Sequence, residues 1–229
     1  MMDLPGNPAH ILEEDLRNLR TINRTLGAYR GVLWCLELLA NERELTSFSL
    51  LDVGTGSGDL PAAIVRWARR KGISAKVVGL EPNPVAAEVA RRLTRDFPEI
   101  SIVRGDGAHP PFSPSCFDFV LSSQLLHHFS EGEIVALLKA WSSFARRGIL
   151  VNDLLRHPLA YYGIRLLTCL FTRNEMTRVD APLSVRRALT MPEWQALFRQ
   201  AGIGQFQLFP FFPFRVLGLF HCEGKRGAV

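Results

Sequence analysis

A chain of 229 residues, 47% of them hydrophobic and 21% charged, is long enough for one large α/β domain and too ordinary in composition for a disordered or collagen-like polymer. The formal charge is +5, and the basic residues are mostly Arg dispersed in pairs (Arg69-Arg70, Arg91-Arg92, Arg146-Arg147, Arg186-Arg187), which reads as solvated helix faces and not as a nucleic-acid surface. The most apolar stretch, Pro158 to Thr172, is too short for a membrane span and is interrupted by Arg165. The start, Met1-Met2-Asp3-Leu4-Pro5, lacks the basic and apolar regions of a secretory signal. Cys35, Cys116, Cys169 and Cys222 are scattered without C-x-x-C or Cys/His ligand spacing. Reduced thiols and a cytoplasmic location are expected.

In chain order, residues 9 to 40 carry a helical apolar pattern (Leu12, Leu16, Leu19, Leu26, then Val32 to Leu39), so that 1–45 reads as a helical cap. Leu50 to Val53 is a short apolar strand, and Leu60 to Arg70 a helix. Lys76 to Leu80 is a second strand, followed by a helix from Val85 to Asp96 that Pro84 starts and Pro98 ends. Ile100 to Val103 and Phe117 to Leu121 are further strands. Glu131 to Phe144 is an amphipathic helix, and Gly148 to Val151 a fifth strand. Strands that are apolar throughout and alternate with helices predict a parallel, doubly wound sheet buried on both faces.

Beyond the core, 46–154, the segment 155–190 reads as an irregular, apolar insertion from His157 to about Leu189. Thr190-Met191-Pro192-Glu193 is a capping box for a helix to Gln200, with Gly202 past its end. From Gln205 to Cys222, two strand-like pieces with Pro210 and Pro213 between them predict an antiparallel hairpin, closing the C-terminal part, 191–229. With neither repeat nor linker, 1–229 reads as a single domain.

The first strand runs into Asp52-Val53-Gly54-Thr55-Gly56-Ser57-Gly58-Asp59-Leu60. Three glycines at alternate positions permit a tight turn and close approach of backbone to a ligand. A P-loop would need Lys and Ser/Thr where Asp59-Leu60 stand. The dinucleotide pattern G-x-G-x-x-G would place its third glycine at position 59, which is Asp. What fits is D-x-G-x-G-x-G, whose leading acid suits an ammonium better than a pyrophosphate. Two more acids sit at strand ends. Glu81 closes the second strand, where a carboxylate can accept two bonds from a ribose diol. Asp106, in Gly105-Asp106-Gly107-Ala108, can accept from an adenine amino group, with a neighbouring N–H serving a ring nitrogen. The fourth strand then opens through Ser122-Ser123-Gln124 into the same crevice.

This ordered set resembles the class I S-adenosylmethionine-dependent methyltransferases, of the small-molecule type related to the quinone-biosynthesis methylases. The resemblance covers roughly residues 46 to 154, and Gln200-Ala201-Gly202-Ile203 looks like a later element of the family. It implies a Rossmann-like α/β fold with a seven-stranded sheet whose last strand is antiparallel. It also implies S-adenosylmethionine as cofactor and S-adenosylhomocysteine as product. Asp52, Gly54, Thr55, Gly56 and Gly58 are implied around the methionine portion, Glu81 and Pro82 at the ribose, Asp106 and Gly107 at the adenine, and Ser123 and Gln124 closing over the cofactor.

Methyl transfer is an in-line displacement, to which orientation can contribute about 7–11 kcal/mol. A base is needed only where the nucleophile arrives protonated. His128, and after it His127, are the candidates, while Asn152, His157 and Tyr161 are expected to line the acceptor site. No metal is expected. An apolar lid at 155–190 suits an apolar or aromatic acceptor such as a phenol, quinol or polyketide, with O-methylation favoured and a monomer or homodimer as the working form. A base-flipping methyltransferase would carry an N/D/S-P-P-Y/F/W motif where Ser122-Ser123-Gln124-Leu125 stand. A paired-Glu loop for protein arginine is missing there too. A non-catalytic module that keeps the cofactor fold is the remaining alternative, though its usual sign would be eroded motif residues.

Overall fold

The computed structural model describes residues 9–172, 174–203 and 205–221. The expectation for Met1 to Pro5, and Cys222 at the end of the second tail strand, lie outside them. Two helices come first, α1 (Ala9–Thr25) and α2 (Ala28–Arg43). They break at Gly27, which takes a left-handed φ of 80°. The core then alternates: β1 (Ser47–Val53), α3 (Asp59–Lys71), β2 (Ser74–Glu81), α4 (Pro84–Thr94), β3 (Ile100–Arg104), β4 (Phe117–Ser123), α5 (Glu131–Phe144) and β5 (Ala145–Leu154). The chain continues through α6 (Pro158–Phe171), α7 (Glu175–Arg187), α8 (Met191–Ala201), β6 (Gln205–Phe211) and β7 (Arg215–His221).

The seven strands form one sheet in the order β3-β2-β1-β4-β5-β7-β6. β1 to β5 are parallel, and β7 enters antiparallel between β5 and β6. The sheet is buried on both faces, which is why its strands read as unbroken apolar runs. On one face Leu50, Val77, Phe119, Leu121 and Leu150 pack against α2 and α3. On the other, Leu51, Val53, Val120, Ile149 and Val151 pack against α5 and α8. Within β1 this is the two-residue alternation of a strand, with Leu50 facing one layer and Leu51 the other.

Two expectations change. The 155–190 insertion is not irregular: it is the helix pair α6 and α7, meeting through Ile164, Ala181 and Val185. Its near-continuous apolarity hid the helical period, because α6 leaves Leu159, Tyr162, Leu166, Leu170 and Phe171 exposed while facing the protein through Ile164 and Thr168. Pro210 does not lie between the strands but inside β6, the outermost strand, where a missing N–H is tolerated. Pro213 alone sits in the turn. Among the described residues no helix is long and apolar enough to cross a membrane.

Candidate cofactor and acceptor site

The parallel strands end at one edge, and the glycine turn follows β1 there. The N–H groups of Gly54 and Thr55 donate to the Leu80 carbonyl at 2.9 and 3.1 Å, folding the chain back against β2. Gly54, Gly56 and Gly58 all take left-handed φ values, 71°, 56° and 73°. Space distinguishes them. A Cβ on Gly58 would lie 3.0 Å from Thr94 and 3.2 Å from Ala90, so this glycine lets α3 start against α4. A Cβ on Gly56 would meet nothing nearer than Leu16 at 4.0 Å. Asp52 is buried beneath the turn, accepting from Thr55 Oγ1 at 2.7 Å. Burial, together with the negative charges of Asp59 and Glu81, pushes its carboxyl up to about 7 against the bond from Thr55. A buried acid crowded by two others is short of a positive charge, and an ammonium group would supply it.

Glu81, at the end of β2, is buried too. Its Oε2 accepts from the Gly56 N–H at 2.8 Å and its Oε1 from the Asn83 N–H at 3.0 Å, which fixes the carboxylate across the glycine turn. Pro82 is exposed behind it. Asn83 caps α4, accepting from Val85 and Ala86. Asp106, just past β3, is exposed and accepts from the Ala108 N–H at 2.9 Å. Gly107 lies against Val53, where a Cβ would come within 2.6 Å, and its carbonyl accepts from Trp141 Nε1. The acids at or just past the ends of the three adjacent strands β1, β2 and β3 therefore follow one another along one edge of the sheet.

A cavity of about 310 Å³ opens on the β1–β4 side of that row. Its lining includes Asp52, Gly54, Thr55, Gly56, Ser123, Gln124, His127 and His128, and helices α1, α2, α6 and α7 roof it. Glu81, Pro82, Asp106 and Gly107 do not line it; they border the edge beyond the glycine turn. Asn152 is fully buried, its side-chain amide donating to Ser123 Oγ at 2.8 Å and to the Ala28 carbonyl, while its backbone carbonyl accepts from the Gln124 N–H. This holds Gln124 in a left-handed φ of 57° at the cavity wall. Asn152 thus shapes the wall from behind. His157 caps α6, its Nδ1 accepting from the Leu159 N–H, and stacks on Phe214. Tyr161 packs into the α6–α7 cluster. Neither of these two lines the cavity.

The two adjacent histidines part company. They occupy a single 3₁₀ turn, Leu126–His128. His127 is buried, with Nδ1 2.6 Å from Asp153 Oδ1. His128 is exposed, its ring 4.3 Å from that of His127. Asp153 also accepts from the N–H groups of His127 and Leu154. Burial raises its carboxyl, but the His127 charge and these bonds outweigh that and hold it below the ordinary value. An ionised carboxylate only accepts, so Nδ1 carries a proton, and a neutral ring would then have its lone pair on Nε2. That Nε2 is buried without a hydrogen-bond partner.

Sequence reasoning passed over further lining residues. Tyr29 of α2 donates to Asp59, which also accepts from Ser57 Oγ, latching the helical cap onto the glycine turn. Asp15 is buried in α1 and accepts from Thr177 of α7 at 2.6 Å. An acid on the Leu12–Leu16–Leu19 face was a visible signal. Arg215, buried at the start of β7, had none, standing in an aromatic tail. Among the described residues no group of three or more His, Cys, Asp or Glu is placed to hold a metal ion.

Residues 50–148 match the family model of a methyltransferase domain. No curated protein matches the chain by sequence. Among solved structures, a SAM-dependent methyltransferase from Aquifex aeolicus superimposes with a TM-score of 0.65 at 14% identity, over 91% of this chain and 97% of that one. An O-methyltransferase family 2 protein from Planctomyces limnophilus, complexed with apigenin, gives 0.57 at 20% identity over 76% and 50%. The CMeT domain of citrinin polyketide synthase gives 0.63 at 13% identity over 83% and 51%. The chain thus spans about half the length of the last two, and at these identities the likeness is one of fold. Residues 50–148 thus carry a class I, S-adenosylmethionine-dependent methyltransferase domain.

Proposed function

We propose that the protein methylates a small apolar or aromatic acceptor, O-methylation favoured, with His127 as the base and Asp153 behind it. The observation that carries the reading is one cavity shared by the glycine turn, the buried Asp52 and the unpartnered Nε2 of His127. When bound, S-adenosylmethionine supplies a methyl group on a sulfonium, already activated for transfer. The chain's own task is to hold the two reactants in line, exclude water and accept a proton. Asp52 would take the ammonium, Glu81 the ribose hydroxyls, and Asp106 with the Gly107 N–H the adenine. Residues 155–190, as α6 and α7, form the acceptor lid of a single domain, their Leu159, Ile164, Leu167 and Val185 making its wall apolar. The polyketide synthase domain and the apigenin complex among the fold relatives agree with such an acceptor.

Calorimetry with S-adenosylmethionine and S-adenosylhomocysteine, followed by methyl incorporation into a panel of phenols, quinols and polyketide-like carbonyl compounds, tests this directly. Binding of both ligands and transfer to an apolar member are expected. Transfer to RNA or protein alone would replace the acceptor class, and binding without transfer to anything would favour a non-catalytic module.

A further inference from the structure

Among the described residues, Arg215 is the one arginine among the largest fully buried side chains, at 1% exposure. Arginine is almost never fully buried without a counter-charge, because the lost hydration costs several kcal/mol. Its Nε donates to the Leu26 carbonyl at 2.8 Å, while its Nη1 is buried with no partner. The residue stands opposite Leu154 on the β5–β7 ladder, one position from Asp153. Asp153 gives its oxygens to His127 and to two backbone N–H groups, so it neutralises Arg215 only through space. Burial lowers the guanidinium to about 10, which leaves it charged at neutral pH. Arg215 lines the same cavity as His127. One cavity is therefore lined by two residues that each keep a buried nitrogen without a hydrogen-bond partner, Nε2 of His127 and Nη1 of Arg215.

We propose that Arg215 is an acceptor-binding residue whose free Nη1 N–H holds an anionic oxygen of the acceptor, which makes the acceptor a phenol or enolisable carbonyl compound whose deprotonation yields a delocalised oxyanion. This rests on the methyl-transfer reading for the identity of the cavity. The acceptor's O–H or acidic C–H proton passes to His127 Nε2, and the electron pair left behind is shared with the oxygen on Arg215. A simple alcohol or amine would leave the guanidinium N–H unpaired and pay that cost in affinity. Arg20, the other arginine on the lining, is half-buried and keeps access to water, so it does not need a ligand to satisfy it.

The test uses the protein saturated with S-adenosylhomocysteine and two probes of equal size, 4-nitrophenol at a pH where it is ionised and 4-nitroaniline, which is neutral. The phenolate is expected to bind at least ~tenfold tighter, and its spectral titration should move to lower pH in the complex. Arg215→Gln should abolish both effects and Arg215→Lys should keep part of them, with S-adenosylhomocysteine affinity unchanged throughout. No preference for the phenolate in the wild type, or one that survives Arg215→Gln, overturns the proposal. If Arg215→Gln does not fold, an unshifted wild-type titration overturns it alone. Failure of S-adenosylhomocysteine to bind the wild type is a different result: it removes the methyl-transfer reading, and the probes are then compared on the free protein.

Discussion

His127 and Asp153 face one another across the β4–β5 edge with Nδ1 and Oδ1 2.6 Å apart and both side chains at 2% exposure or less. The carboxylate orients the ring, fixes its tautomer and would stabilise the imidazolium formed when Nε2 takes a proton. Asp153→Asn leaves the shape and removes the charge. It is expected to lower kcat by about 10²–10⁴-fold, the usual worth of a positioned acid or base, with cofactor affinity unchanged in calorimetry. His127→Gln should lose as much, and the double variant little more, since the two act as a unit. His128→Gln should retain most of the activity. Because Asp153 is held below its ordinary value, its contribution to stability is complete above pH ~4 and is lost as pH falls through the lower folded value. Asp153→Asn should flatten that limb of an acid denaturation curve.

Asp52 carries the opposite sign. Its carboxyl is raised to about 7 in the free protein, by burial first and by Asp59 and Glu81 next. The folded state therefore holds this proton over a range where the unfolded chain has lost it, and stability declines as pH rises from about 4 to 7. An ammonium-bearing ligand needs the ionised form. Cofactor binding should release a proton below pH ~7, and affinity should rise toward tenfold per pH unit there before levelling. Calorimetry in buffers of different ionisation enthalpy reads the proton directly. Asp52→Asn should abolish the release, weaken the cofactor, and stabilise the free protein at neutral pH by a few kcal/mol.

The core was legible because its strands are buried on both faces, so that Leu50–Val53 or Phe117–Leu121 cannot be mistaken for solvent-facing segments. The glycine turn was legible because three left-handed positions in five residues leave few alternatives to glycine. Burial of single polar residues was not. His127 and His128 are neighbours of identical chemistry, and only the 3₁₀ turn decides which one points at Asp153. Arg215 looks like any surface arginine until β7 is seen inserted between β5 and β6. The row of acids came from spacing, while the cavity beside it depends on how α1, α2, α6 and α7 roof the edge, a long-range outcome with no local signature.

The glycines offer a way to separate fold from ligand contact. Alanine at either position 56 or 58 bears left-handed strain of about 1–3 kcal/mol. At Gly58 the new methyl also presses on Ala90 and Thr94 at 3.0–3.3 Å, so Gly58→Ala should cost stability beyond the strain and lower the melting temperature more. At Gly56 the methyl enters open space beside the turn, on the cavity lining. Gly56→Ala should melt closer to wild type and yet lose most of its cofactor affinity. Equal melting losses for the two variants would contradict this division of roles.

The two sides of α6 should respond differently to substitution. Leu166, Leu170 and Phe171 stand 60%, 66% and 80% exposed, and their removal leaves nothing unpacked. Leu166→Ser and Leu170→Ser should each change stability by no more than about 0.5 kcal/mol in denaturant titrations. Ile164, on the inner side, is buried with Ala181 and Val185 and also lines the cavity. Ile164→Ala should cost about 2–5 kcal/mol if α6 and α7 are packed as one unit, and it should raise KM for the acceptor while leaving cofactor affinity alone. A large loss from the outer substitutions instead would mean that this apolar face is covered in solution, and analytical ultracentrifugation of the wild type beside Leu170→Ser would then show whether a second copy covers it.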